Sequence, residues 1–288
     1  MGCHNDNMRV IESKIVHWCA PTLAGLKPAS MFSMHFLEDD ACDTCENERC
    51  SMMRRNQFMR ALHEVGNCLE TCGVHVLALA IRPTNALLFV WRPALVEQAI
   101  ARSRTATYLE AAGYNVNDAG ACVAELARRV CAADAADAPM RAVFPHEIGF
   151  FLGYPHDDVV AFIEHRGFGG QSVGCWKSYG CTTDAMNRSQ AYKRCISAFE
   201  QMHRDGVSLD RLATLRDSQV VVAHASADAA LDLSGSRSRR VRHWGAVPIA
   251  GVRKLASCVK RRKSAWHGRR GSGGGPTQVK AAIQPLAM

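Results

Sequence analysis

Val74-His75-Val76-Leu77-Ala78-Leu79-Ala80-Ile81-Arg82-Pro83-Thr84-Asn85-Ala86-Leu87-Leu88-Phe89-Val90-Trp91 is the stretch on which the fold turns. Val74 to Ile81 and Ala86 to Trp91 are aliphatic runs of strand length, and Pro83, Thr84 and Asn85 between them are turn formers, so the segment predicts a β-hairpin. Upstream, Met52, Phe58, Met59, Leu62, Val65 and Leu69 recur at spacings of three and four, which predicts a helix from 52 to 72 stopped by Gly73. Downstream, Pro93 opens a helix over 94–100, a second over 106–112 ends before Gly113, and Asn117 or Asp118 caps an alanine-rich helix reaching about Ala133. The expected fold is α+β, mostly helical, with a small antiparallel sheet around one β-hairpin.

The flanks add to this. Val10 to Trp18 predicts a short amphipathic helix, followed by a turn and a short strand within Pro28 to Phe36. From Pro145 the pattern is helix, a break at Gly153-Tyr154-Pro155, and a helix to His165. Gly167 to Gly170 reads as a loop, Val173 to Tyr179 as a short strand, Asp184 to Arg204 as a long helix, and Ser208 as the cap of a last short one.

The chain has 288 residues, 48% of them hydrophobic and 22% charged, a globular composition that excludes disorder along the whole length. No apolar run approaches the ~18 residues of a membrane span, and no charged-then-apolar segment opens the chain. A cytoplasmic location without membrane insertion is therefore expected. The net charge of +8 is unevenly held: thirteen Lys and Arg and no Asp or Glu follow Ser234, so residues 1–233 keep 22 bases against all 27 acids. This divides the chain into a globular domain over 1–216 and a basic, low-complexity tail over 217–288. Arg239, Arg240, Arg242, Lys260, Arg261, Arg262 and Lys263 in that tail suit non-specific, salt-dependent binding of a polyanion such as nucleic acid, whereas the acidic body repels phosphate.

Three segments carry a resemblance. They are His17-Trp18-Cys19-Ala20-Pro21-Thr22-Leu23-Ala24-Gly25-Leu26-Lys27; Phe144-Pro145-His146-Glu147-Ile148-Gly149-Phe150-Phe151-Leu152-Gly153-Tyr154-Pro155 with Asp158-Val159 and Phe162-Ile163-Glu164; and Val173-Gly174-Cys175-Trp176-Lys177-Ser178-Tyr179-Gly180 leading to Tyr192-Lys193-Arg194-Cys195. Together they resemble a family of uncharacterised bacterial proteins, a domain of unknown function found chiefly in anaerobic Firmicutes and Actinobacteria. The resemblance brings no activity with it. It singles out Cys19, His146, Glu147, Cys175, Lys177, Tyr179 and Cys195 as motif positions.

Thirteen cysteines, in a chain with no export signal, are expected to remain thiols and mostly to pack as small hydrophobes. Those inside the motifs lie beside His17, Trp176 and Lys193, and a cationic neighbour lowers a thiol pKa. Cys19, Cys175 and Cys195, gathered with His146, would hold a transition metal or iron–sulfur centre or form a thiol redox site. Cys42, Cys45 and Cys50 form a second candidate metal set, although the usual second pair of ligands is missing. The His-Glu pair at 146–147 is not a zincin motif, because position 150 is Phe150. Glu147 suits a helix N-terminus, and Trp176 and Tyr179 framing Lys177 suit stacking on a flat ligand. The segment 147–162 has the outline of a helix-turn-helix, but Asp157 and Asp158 at the entering end would repel DNA, which favours a plain helical hairpin. The leading expectation is a metal or redox protein. A nucleic-acid-associated regulator and a non-catalytic interaction module, in which the cysteines only pack, are the alternatives.

Overall fold

The structure is a computed structural model and describes residues 2–36, 48–134 and 144–215. In chain order the elements are α1 (Gly2–Leu23), β1 (Ala29–His35), α2 (Glu48–Glu70), β2 (His75–Ile81), β3 (Asn85–Trp91), α3 (Pro93–Ile100), α4 (Ser103–Ala111), α5 (Ala119–Ala133), α6 (Ile148–Phe151), α7 (His156–Glu164), β4 (Gln171–Val173), β5 (Trp176–Ser178), α8 (Thr182–Arg204) and α9 (Leu209–Thr214). The fold is α+β and mostly helical, as the periodicity predicts.

The hairpin β2–β3 forms, and β1 pairs antiparallel with the far side of β3, giving the order β1-β3-β2. The central strand explains its own composition. Ala86, Leu88 and Val90 enter one core while Leu87, Phe89 and Trp91 enter another, so both faces are covered and the strand is continuously apolar instead of alternating. The first core packs α1, α2, α8 and α9 on one face through residues such as Ile15, Phe58, Leu69, Phe199 and Leu212. The second packs α3 to α7 on the other through Ile100, Leu109, Leu126, Phe151 and Val159. A bulge between Ala78 and Ala80 turns both Leu79 and Ala80 toward the second core.

Two expectations change in detail. The first helix is a single one from Gly2 to Leu23 with Pro21 inside its last turn, longer than the Val10 to Trp18 stretch. Pro21 removes one backbone hydrogen bond from that turn, and the buried Ile11, Ile15, Cys19 and Leu23 hold the helix on the sheet. The strand expected over Val173 to Tyr179 is a two-stranded hairpin, because Gly174, at φ +66°, turns the chain between β4 and β5. Of the two candidate caps for α5, Asp118 serves, accepting from the Ala121 N–H at 2.9 Å.

Arg92, just past β3, ties together three helices of the first layer. Its guanidinium donates to the carbonyls of Thr22 and Leu23 at the end of α1, to Cys72 beyond α2 (3.2 Å) and to Ala213 in α9 (2.6 Å). Helix C-termini leave carbonyls without intrahelical partners and carry partial negative charge, so one cation satisfies three of them.

Candidate functional site

The family-like motifs, far apart in the chain, meet where α7, the β4–β5 hairpin and α8 pack. Asp158 in the first turn of α7 is 5% exposed and accepts the Trp176 indole N–H at 3.0 Å, the Ser178 hydroxyl at 3.4 Å and the Tyr179 backbone N–H at 2.7 Å. Three donors around one buried carboxylate latch the hairpin to α7. Trp176 stacks on Tyr154 with centroids 5.3 Å apart, and the Tyr154 hydroxyl donates to the Cys175 carbonyl at 2.9 Å.

Lys27, the last residue of the first motif, completes this cluster. It is 6% exposed, and its ammonium lies 5.1 Å from the Tyr154 ring centroid and 6.0 Å from that of Tyr192. Among the described residues it has no carboxylate or hydrogen-bond acceptor, so the π faces of two tyrosines are its compensation for lost water. Burial, with Cys175 and Tyr192 nearby, holds the Tyr154 hydroxyl in its neutral form well above the usual phenol range.

On the solvent side of the hairpin, the five residues from Arg166 to Gly170 form an unusual loop. Arg166 and Gly167, Gly169 and Gly170 all have positive φ, from 51° to 76°. Glycine accepts this conformation without a Cβ penalty, and Arg166 bears about 1–2 kcal/mol of strain. The loop is held from the hairpin by the Lys177 ammonium, donating to the Gly167 carbonyl at 2.6 Å, and by the Tyr179 hydroxyl, donating to the Phe168 carbonyl at 3.0 Å. The His165 ring stacks on Tyr179 at 5.7 Å. At the tip Phe168 is 76% exposed.

Beside this region, between α4 and α7, a cavity of about 170 Å³ is lined by Arg102, Ser103, Arg104, Thr105, Tyr154 and His156. Arg104 forms a two-pronged ion pair with Asp157, and the Thr105 hydroxyl lies 3.2 Å from His156 Nδ1. Burial and the Arg104 charge lower the His156 pKa, so its ring is neutral at pH 7.

The residues expected to gather as ligands are dispersed. Cys19 and Cys195 are buried in the first core. Cys175 packs with the β4–β5 hairpin, and His146 sits between the Phe144 and Phe162 rings beside the second core. Burial raises the Cys19 thiol far above its usual range, opposite to what a nucleophile or ligand needs, and lowers the His146 pKa. Among the described residues no three His, Cys, Asp or Glu side chains are grouped to hold a metal ion. Cys42 and Cys45 lie outside the described residues, Cys50 is described only by its place in α2, and the basic residues from Arg239 to Lys263 also lie outside.

Glu147 does not cap α6. Its carboxylate accepts from the Tyr114 hydroxyl and from Arg129, each at 3.0 Å, and Arg129 also bonds Glu125 and lies over the Tyr114 ring. Trp176 is buried on the α7 side, while Lys177 and Tyr179 brace the loop. The outlined helix-turn-helix is a plain helical hairpin in which Asp158 is consumed by the latch. Sequence reasoning missed Lys27, Asp158 and Phe168 as the residues around which the motifs assemble. An aromatic alone among three glycines was the available signal for Phe168.

Fold and site together define an α+β protein whose central sheet lies between two helical layers and whose motif residues build a latched hairpin beside a small cleft. The chain belongs to the family described as protein of unknown function (DUF3793), whose family model matches residues 15–213. No curated protein and no solved structure matches it. Among the described residues no helix is long and apolar enough to cross a membrane.

Proposed function

We propose that this domain is a non-catalytic interaction module that docks a protein partner through the loop tipped by Phe168. One observation carries the reading: an aromatic side chain 76% exposed on a loop whose backbone is braced by Lys177 and Tyr179, both motif residues. Leaving Phe168 in water forgoes roughly 1.5–3 kcal/mol of burial, and Arg166 adds backbone strain, so the loop is costly to the isolated fold. Binding to an apolar pocket returns that burial, and rigid aromatics in a fixed conformation are the usual anchors of protein interfaces. Arg166 beside it is exposed and has no acidic partner among the described residues, which suits a pocket with carboxylates on its rim. The thiols belong to this reading as packing residues, since Cys19, Cys122 and Cys195 are buried.

The test is site-directed photocrosslinking in cells that make the protein, with benzoylphenylalanine in place of Phe168. A discrete protein adduct, competed away by added wild-type protein and not by Phe168→Asp, is the expected result. No adduct, or adducts that both competitors remove equally, would overturn the reading.

A further inference from the structure

We propose that Cys68 and Cys72 are a reversible dithiol, closed to a disulfide by exchange with a small-molecule disulfide, and that closing it loosens the hold of α2 on α9. The site is separate from the Phe168 loop and does not depend on it. Residues four apart on a helix share a face, and their Cα atoms lie about 6 Å apart, inside the range a disulfide spans. Cys68 stands in the last turn of α2 and is exposed, and Cys72 lies two residues past the helix end at Glu70, partly exposed.

The Cβ atoms at this spacing are about 5–6 Å apart, and a disulfide needs them about 1–2 Å closer. The end of α2 supplies that movement, because Cys72 is outside the regular ladder. Its N–H bonds the Leu69 carbonyl at 2.9 Å instead of the Cys68 carbonyl, and Gly73 turns the chain away with φ +72°. The Cys72 sulfur already lies 3.9 Å from the Cys68 carbonyl oxygen, over the turn that carries its partner. A shift of Cys72 therefore breaks no helical hydrogen bond to Cys68.

The chemistry is two successive exchanges. The exposed Cys68, as thiolate, attacks one sulfur of the small disulfide and expels one thiol; the Cys72 sulfur then attacks the Cys68 sulfur and expels the second. Two electrons pass from the pair of cysteines to the small disulfide, and the two thiol protons leave with its halves. Burial, with Asp210, Cys72 and Glu12 nearby, raises the Cys68 pKa. A thiolate so disfavoured is a slow leaving group, so the closed form persists as a stored state and not as a turnover intermediate.

The consequence follows from what Cys72 holds. Its thiol donates to the Asp210 carbonyl in α9 at 3.5 Å, and its own carbonyl accepts from Arg92, which also donates to Ala213 in α9. A disulfide sulfur has no proton to donate, so oxidation removes the first link and draws Cys72 away from the second.

Incubation of the full chain with oxidised glutathione, followed by alkylation and tryptic mapping, tests the site. Cys68 and Cys72 share one tryptic peptide, beginning at Ala61, that holds no other cysteine. The expected product is that peptide lighter by two hydrogens and unalkylated, while exposed Cys181 carries a glutathionyl group. Cys68→Ser and Cys72→Ser should each abolish the two-hydrogen loss. Phenylarsine oxide, which bridges two neighbouring thiols with release of water, should label the wild-type peptide and neither variant. A wild-type peptide that stays reduced, or that carries glutathione on Cys68 with Cys72 free, would overturn the dithiol. Amide hydrogen exchange reads the coupling: α9 should exchange at least about threefold faster in the oxidised protein. Cys72→Ser, whose hydroxyl keeps a donor for Asp210, should hold α9 at the reduced wild-type rate with or without oxidant. Unchanged exchange in α9 after the disulfide has formed would overturn the coupling.

Discussion

The Asp158 carboxylate accepts the Trp176 indole N–H at 3.0 Å, and through this contact the first turn of α7 governs the conformation of a hairpin that follows it in the chain. The same carboxylate also holds the Tyr179 N–H, so a single side chain fixes the strand from which Lys177 and Tyr179 brace the Phe168 loop.

Replacing Asp158 by Ala should therefore destabilise the domain by about 3 kcal/mol or more, since hydrogen bonds to a charged acceptor each contribute roughly 1.5–3 kcal/mol and the orphaned donors stay buried. Asp158→Asn, which keeps the shape and part of the bonding, should cost about half as much. Urea denaturation followed by Trp fluorescence distinguishes them; equal stability of all three proteins would show that the latch contributes nothing.

Arg92 offers a second test at the opposite side of the sheet. Arg92→Met removes the donors to the ends of α1, α2 and α9 while keeping much of the aliphatic packing, and a loss of about 3 kcal/mol is expected. Arg92→Lys should recover only part of it, because an ammonium cannot reach three helix ends with a planar fork.

Gly153 and Gly25 form a matched pair. Both have φ +78°, but a Cβ on Gly153 would lie 2.5 Å from Pro28 Cδ, whereas one on Gly25 meets nothing within 4 Å. Gly25→Ala should cost only the backbone strain, about 1 kcal/mol, and Gly153→Ala distinctly more. Thermal unfolding of the two variants side by side gives the comparison, and equal losses would contradict the close approach of Pro28.

Thiol labelling checks the reading of the cysteines. Among the described cysteines, Cys68 and Cys181 are exposed and should modify first in the native protein. Cys19 should resist until unfolding, as should Cys122, whose thiol donates to the Asn115 carbonyl at 3.0 Å and is pushed up to about 11 by burial. Peptide mapping by mass spectrometry after brief alkylation reads the order; early modification of Cys19 would refute it.

Glu125 predicts part of the acid sensitivity. Hydrogen bonds from Arg128, then from Arg129, bring its carboxyl down to about 2 from an ordinary value of 4.5. The folded state thus binds this proton less readily than the unfolded one, so the stabilisation is present above about 4.5 and is lost as pH falls toward 2. Glu125→Gln should flatten that segment of the stability profile measured by urea denaturation, and an unchanged slope would remove Glu125 from the account.

The strands and helices were legible because their signals are local. The apolar run from Ala86 to Trp91 reads as strand, the three-and-four spacing from Met52 to Leu69 reads as helix, and Pro93 and Asp118 mark helix starts by their own covalent chemistry. Composition also separated the basic end of the chain from its acidic body. Which residues meet was not legible, since Lys27, Tyr154 and Tyr192 stand more than a hundred residues apart at their extremes and share no period. Only the packing of both faces of β3 brings α1 and α8 together on one side and places α7 beside the hairpin. That packing turned Cys19 and Cys195 into core residues, made Asp158 a latch, and left Phe168 in solvent. Sequence determines local conformation through backbone sterics and hydrophobic period, whereas burial, and with it the charge state and reach of each functional group, is set by what the tertiary structure places against it.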